Sequence, residues 1–204
     1  MAEKITLLLD GGFVKKKLSE KLKRFPDHKD ILRLCEEILQ KPRLAGKDLF
    51  RIYYYDAPPH EGTARNPIDG SIVDFSNSPQ ASRNRALIDT LELQPDFAVR
   101  RGVLIQGGWK LGSSALRNLA KAPRILTASD LVPDLKRKGV DIRIGLDIAA
   151  IALKRVAQIL VLVTGDSDFV PPMKLARTEG LRVYLETLGH GVKRDLKAHA
   201  DYLL

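Results

Sequence analysis

Two short apolar runs constrain this chain most. "ITLLLD" ends at Asp10, and "ILVLVTGD" ends at Asp166. Neither alternates apolar with polar residues, so neither suits a sheet with one face in water. Both are far shorter than the ~20 apolar residues a membrane span requires. They read as strands buried on both faces, which means a parallel sheet with helices above and below.

The segments between them supply those helices. Residues 13–25 place Val14, Leu18 and Leu22 on one helical face, and residues 29–41 align Ile31, Leu34, Cys35 and Ile38. Residues 80–93 and 139–158 also read as helices, the second with Ile144, Ile148, Ile151 and Ala152 in register. Residues 169–180 carry Pro171 and Pro172 in an early helical turn and Gly180 as a stop. Further strands are expected at 49–59, with Tyr53, Tyr54 and Tyr55 mainly in the core, and at 181–188, and residues 96–108 read as a strand or a hairpin arm. A closing helix is expected at 193–204. Residues 62–79 are rich in turn formers and read as a loop. Residues 113–138 are ambiguous, and an insertion is expected around 108–133. Strands alternating with helices, no repeat and no linker point to one three-layer α/β domain over residues 1–204, with a mainly parallel, Rossmann-like central sheet.

Lys and Arg number 34 against 25 Asp and Glu, a net charge of +9. That balance favours a polyanionic partner, most often nucleic acid. One cysteine rules out an internal disulfide and a cysteine-rich zinc site, and its helical setting makes it a core residue. The N-terminal segment carries Asp10 where a signal peptide needs small neutral residues, so a cytoplasmic protein is expected. His28, His60, His190 and His199 are scattered without metal spacing, and "AGKDL" lacks the frame of a phosphate-binding P-loop.

Aspartates gather at the strand ends. Asp10 ends the first strand, Asp166 ends a later one, Asp168 follows in the turn, and Asp147 interrupts the apolar stretch "IGLDIAAIAL". In parallel α/β sheets ligands bind beyond the carboxyl ends of strands. Carboxylates without Cys or His partners suit Mg²⁺ or Mn²⁺, which leave positions for water and phosphate oxygens. Each acid also has a structural reading. Asp10 could be a turn aspartate, Asp168 could cap the helix starting near Phe169, and Asp141 could cap the helix after it. A dehalogenase-type phosphatase fails, because its first aspartate needs a second two residues on and Asp10 is followed by two glycines.

Taken in order, "LLLDGG", "IYYYDAPP", "FAVRRGVL", "KGVDIRIGLDIAAIA", "VLVTGDSDFVPPMKLARTEGLRVYLE" and "HADYLL" resemble a NYN domain of the bacterial LabA-like group, within the PIN-like nucleases. The resemblance spans residues 4–204. It implies a PIN-like fold, a Mg²⁺ or Mn²⁺ site and metal-dependent ribonuclease activity. Asp10, Asp147, Asp166 and Asp168 would be the catalytic and metal-binding set, with Asp141 secondary. Many NYN sequences carry Asn three residues after the first aspartate, and here that residue is Phe13. Its loss favours the alternative, a non-catalytic RNA-binding or regulatory module.

Lys15, Lys16, Lys17 and Lys21 crowd the helix after Asp10, and Arg143 follows Asp141. Arg100, Arg101, the basic run Lys136, Arg137 and Lys138, and the pair Lys193 and Arg194 extend the basic surface. RNA is the expected partner, DNA stays open, no membrane is involved, and a homo-oligomer is compatible with the sequence. A solvated helix face is the plainer reading of the lysines on 13–25.

Overall fold

The computed structural model describes residues 3–204. The chain starts with β1 (Lys4–Asp10), α1 (Gly11–Leu22), α2 (His28–Leu39) and β2 (Asp48–Asp56). Next come β3 (Thr63–Arg65), β4 (Ile72–Asp74), α3 (Pro79–Glu92), β5 (Phe97–Arg101), β6 (Val103–Leu111), α4 (Ser113–Lys121) and β7 (Leu131–Lys138). It finishes with α5 (Val140–Lys154), β8 (Ile159–Val163), α6 (Val170–Thr178), β9 (Arg182–Glu186), α7 (Arg194–Ala198) and β10 (Tyr202–Leu203).

Six strands form one sheet in the order β10-β9-β8-β1-β2-β5, and every pairing is parallel. From β1 the chain moves outward through β2 and β5. It then returns to β8 and moves outward the other way through β9 and β10. The direction therefore reverses between β1 and β8, where a crevice opens beyond the strand ends.

Alternate residues of each strand face opposite layers. Ile5, Leu7 and Leu9 pack with Val14, Ile31, Leu34 and Leu87 of α1, α2 and α3. Leu8, Leu160 and Leu162 pack with Ile144, Ile148 and Met173 of α5 and α6. Two covered faces explain why these strands carry no polar alternation. Truncating a fully buried contact such as Ile148 to Ala costs about 2–5 kcal/mol. Cys35 lies in the α2 core, and burial pushes its thiol up to about 12.

Four expectations need revision. Residues 62–79 contain the β3–β4 hairpin, whose three-residue strands are too short to show a period. Residues 96–108 hold all of β5 and the start of β6, the arm that pairs with β7, with Gly102 between them. A Cβ there would meet Val140 Cγ2 at 2.6 Å and the Lys138 carbonyl oxygen at 2.8 Å. Residues 113–138 resolve into α4 and β7, and β7 pairs antiparallel with β6. The closing helix is only α7. Residues beyond it join the sheet edge, with Asp201 N donating to the Val183 carbonyl at 2.8 Å and Leu204 N to that of Leu185 at 3.0 Å.

Candidate functional site

Polar groups are scarce in the core, yet four of them sit at the carboxyl ends of neighbouring strands. Asp56 ends β2, Asp10 ends β1, Thr164 follows β8 and Glu186 ends β9, all buried. Asp10 and Thr164 flank the reversal point.

Asp10 caps α1. Its Oδ1 accepts from Gly12 N at 3.1 Å and Phe13 N at 3.3 Å, so the turn-aspartate expectation becomes a helix cap. Its Oδ2 accepts from Thr164 Oγ1 at 3.4 Å. Thr164 Oγ1 in turn accepts from Asp166 N at 3.2 Å, which ties the two acidic turns together. Burial pushes the Asp10 carboxyl above its ordinary range, against the opposing pull of Arg137, and Asp141 adds to the rise.

Asp166 Oδ1 accepts from Asp168 N at 2.9 Å and caps the short 3-10 turn Ser167–Phe169. The cap is therefore Asp166, and Asp168 is exposed beyond it. Asp141 does not cap α5 either. Gly139 occupies that position in a left-handed conformation, and Asp141 lies exposed in the first turn, where a carboxylate suits the helix dipole.

Asp10, Asp166, Gly12, Phe13, Lys16, Arg137, His190 and Lys193 line one open pocket of about 350 Å³. Phe13 packs against Gly165, whose Cβ would lie 2.7 Å from the ring, and its centroid is 5.9 Å from that of His190. Phe13 thus forms an aromatic wall of the pocket. Asp147 does not line this pocket. Its Oδ2 accepts from the Tyr55 hydroxyl at 2.9 Å and from Arg100 Nε at 3.0 Å.

The basic residues divide as well. Lys16 and Lys21 are exposed on α1. Lys15 turns inward, pairs with buried Asp56 and donates to Asn84 Oδ1 at 2.5 Å. Burial pulls its ammonium below the ordinary lysine range, with Asp56 opposing. Lys17 pairs with Glu20 at 2.7 Å, and Arg143 folds back to the Gly139 carbonyl at 2.7 Å. Sequence reasoning missed Asp56 and Thr164, and it named Lys193 and Arg137 only as general surface charge. The strand-end position of Asp56 in "YYYDAPP" was the available signal.

Among the described residues, no group of three or more His, Cys, Asp or Glu side chains converges tightly enough to hold a metal ion by itself. Two carboxylates in one open pocket do fit a hydrated Mg²⁺ or Mn²⁺, which uses one or two carboxylates and keeps several waters. No described helix is long and apolar enough to cross a membrane.

A solved structure titled as a protein of unknown function, VPA0982, from Vibrio parahaemolyticus RIMD 2210633 is similar in fold. It is 17% identical, with a TM-score of 0.53 over 100% of this chain and 92% of that one. Comparison with curated proteins gives no match. The NYN domain family matches residues 68–204, which include Asp141, Asp147, Asp166 and Asp168 and leave Asp10 to be placed by the sheet. With that match over more than half its length, the chain belongs to the NYN domain family of the PIN-like superfamily.

Proposed function

We propose that this NYN domain hydrolyses RNA phosphodiester bonds at the pocket between the ends of β1 and β8. The observation that carries the reading is the pairing of Asp10 with Asp166 at the sheet's reversal point, inside a rim of Lys16, Lys193, Arg137 and His190. A polyanion can approach two carboxylates only if cations surround them. Asp10 and Asp166 would hold Mg²⁺ or Mn²⁺ together with water. The bound cation would supply an activated water and offset charge developing on the phosphate. Asp10 is held in place by two backbone N–H groups and Thr164, so it needs little rearrangement to serve. Lys16 and Lys193 would carry the RNA backbone. Asp168 and Asp141, which do not line the pocket, would act through water, and Asp147 would support the sheet edge through Tyr55 and Arg100.

The test is single-turnover cleavage of mixed-sequence RNA in Mn²⁺, Mg²⁺ or EDTA. Asp166→Asn should lose ~10²–10³ in rate, as expected for a positioned electrostatic contributor. Equal cleavage by Asp166→Asn, or equal cleavage in EDTA, removes the reading. Phe13 supports the second reading, an RNA-binding module, whose signature is binding without cleavage in any metal.

A further inference from the structure

Arg137 is brought to the pocket by β7. Its Nη1 lies 3.8 Å from Asp10 Oδ1, too far for a hydrogen bond. The guanidinium also fills the space beside Gly12, where a Cβ would meet Nη1 at 1.6 Å. The root of the β6–β7 arm is fixed, because Gly102 packs against Lys138 and Val140 and donates to the Asp56 carbonyl at 2.7 Å. Leu104 pairs with Arg137 across that arm. Arg137 thus combines a fixed backbone position with a half-exposed, loosely held charge. Neighbouring Lys136 is engaged with Asp134 at 3.2 Å.

We propose that Arg137 is a resident counter-cation. It neutralises Asp10 in the free protein, yields that place to a divalent cation, and then takes a phosphate of the RNA in its guanidinium fork. An ion pair with no hydrogen bond and a half-exposed guanidinium is loose enough to exchange, and a planar fork suits phosphate oxygens. This role rests on the ribonuclease function proposed above.

The test uses the full chain. Mn²⁺ affinity is measured by calorimetry without RNA, and binding of a cleavage-resistant phosphorothioate single-stranded RNA is measured in saturating Mn²⁺ across a salt series. Arg137→Ala should bind Mn²⁺ up to about five-fold more tightly, because its competitor is gone. It should bind RNA more weakly, with the salt slope reduced by about 0.7 for one lost phosphate contact. Gly12→Ala, which keeps the arginine but evicts it from its seat, should also tighten Mn²⁺ binding. Unchanged or weaker Mn²⁺ binding in both variants overturns the exchange and leaves the ribonuclease reading standing. An unchanged salt slope in Arg137→Ala overturns the phosphate role. A wild-type chain that binds neither Mn²⁺ nor RNA overturns the function and this inference together.

Discussion

Asp147 separates a structural carboxylate from a metal ligand. Its Oδ2 receives the hydroxyl of Tyr55, a fully buried residue, and Nε of Arg100. Asp147→Leu strands the tyrosine hydroxyl, at about 1–3 kcal/mol. The partly exposed pair with Arg100 adds about 0–1 kcal/mol. A mid-range loss of about 2 kcal/mol lowers the Tm of a chain this size by about 6 °C. Asp147→Asn still accepts from Tyr55 and loses only the charge facing Arg100, so its cost stays below about 1 kcal/mol. Calorimetry with and without Mn²⁺, together with single-turnover cleavage, reads both variants. Asp147→Asn should keep the wild-type rise in Tm with Mn²⁺ and cleave within several-fold of wild type. A variant as stable as wild type whose Mn²⁺ response is gone would make Asp147 a ligand and refute the reasoning.

Lys15 and Lys16 are adjacent yet should behave oppositely. Lys15→Met leaves Asp56 charged and buried, at about 3–5 kcal/mol in chemical denaturation, whereas Lys16→Gln should change stability by less than about 0.5 kcal/mol and flatten the salt dependence of RNA binding. Asp30 provides a pH test: hydrogen bonds from Arg24 hold its carboxyl below the ordinary value of 3.8. That stabilisation is present in full above the ordinary value and is lost as pH falls through the lower folded one. The Tm gap between wild type and Asp30→Asn should therefore be widest near neutrality and narrow in acid, and a gap independent of pH would deny the ion pair its role.

The layered sheet was legible because "ITLLL" and "ILVLV" tolerate no exposed face, and α5 because Ile144, Ile148 and Ile151 repeat at helical spacing. β10 was not legible, since its pairing depends on the free edge of β9, a partner separated from it by a helix and two turns. The acids were visible in the sequence, but the partners they take were not. Asp147 accepts from Tyr55 and Arg100, and Lys15 pairs with Asp56, through contacts between segments far apart in the chain. Arg137 was hidden in the same way, because only the β6–β7 pairing aims it at Asp10.

The central pairing of β1 with β8 has a consequence for biosynthesis. Asp10 and Thr164 are 154 residues apart. At ~5–20 residues per second, a ribosome needs on the order of 10 s to make the second after the first. Until then β1 has β2 on one side and an open edge on the other. The acidic pocket cannot form until β8 has been made, so any activity it carries waits for the chain to pass Thr164 and Asp166.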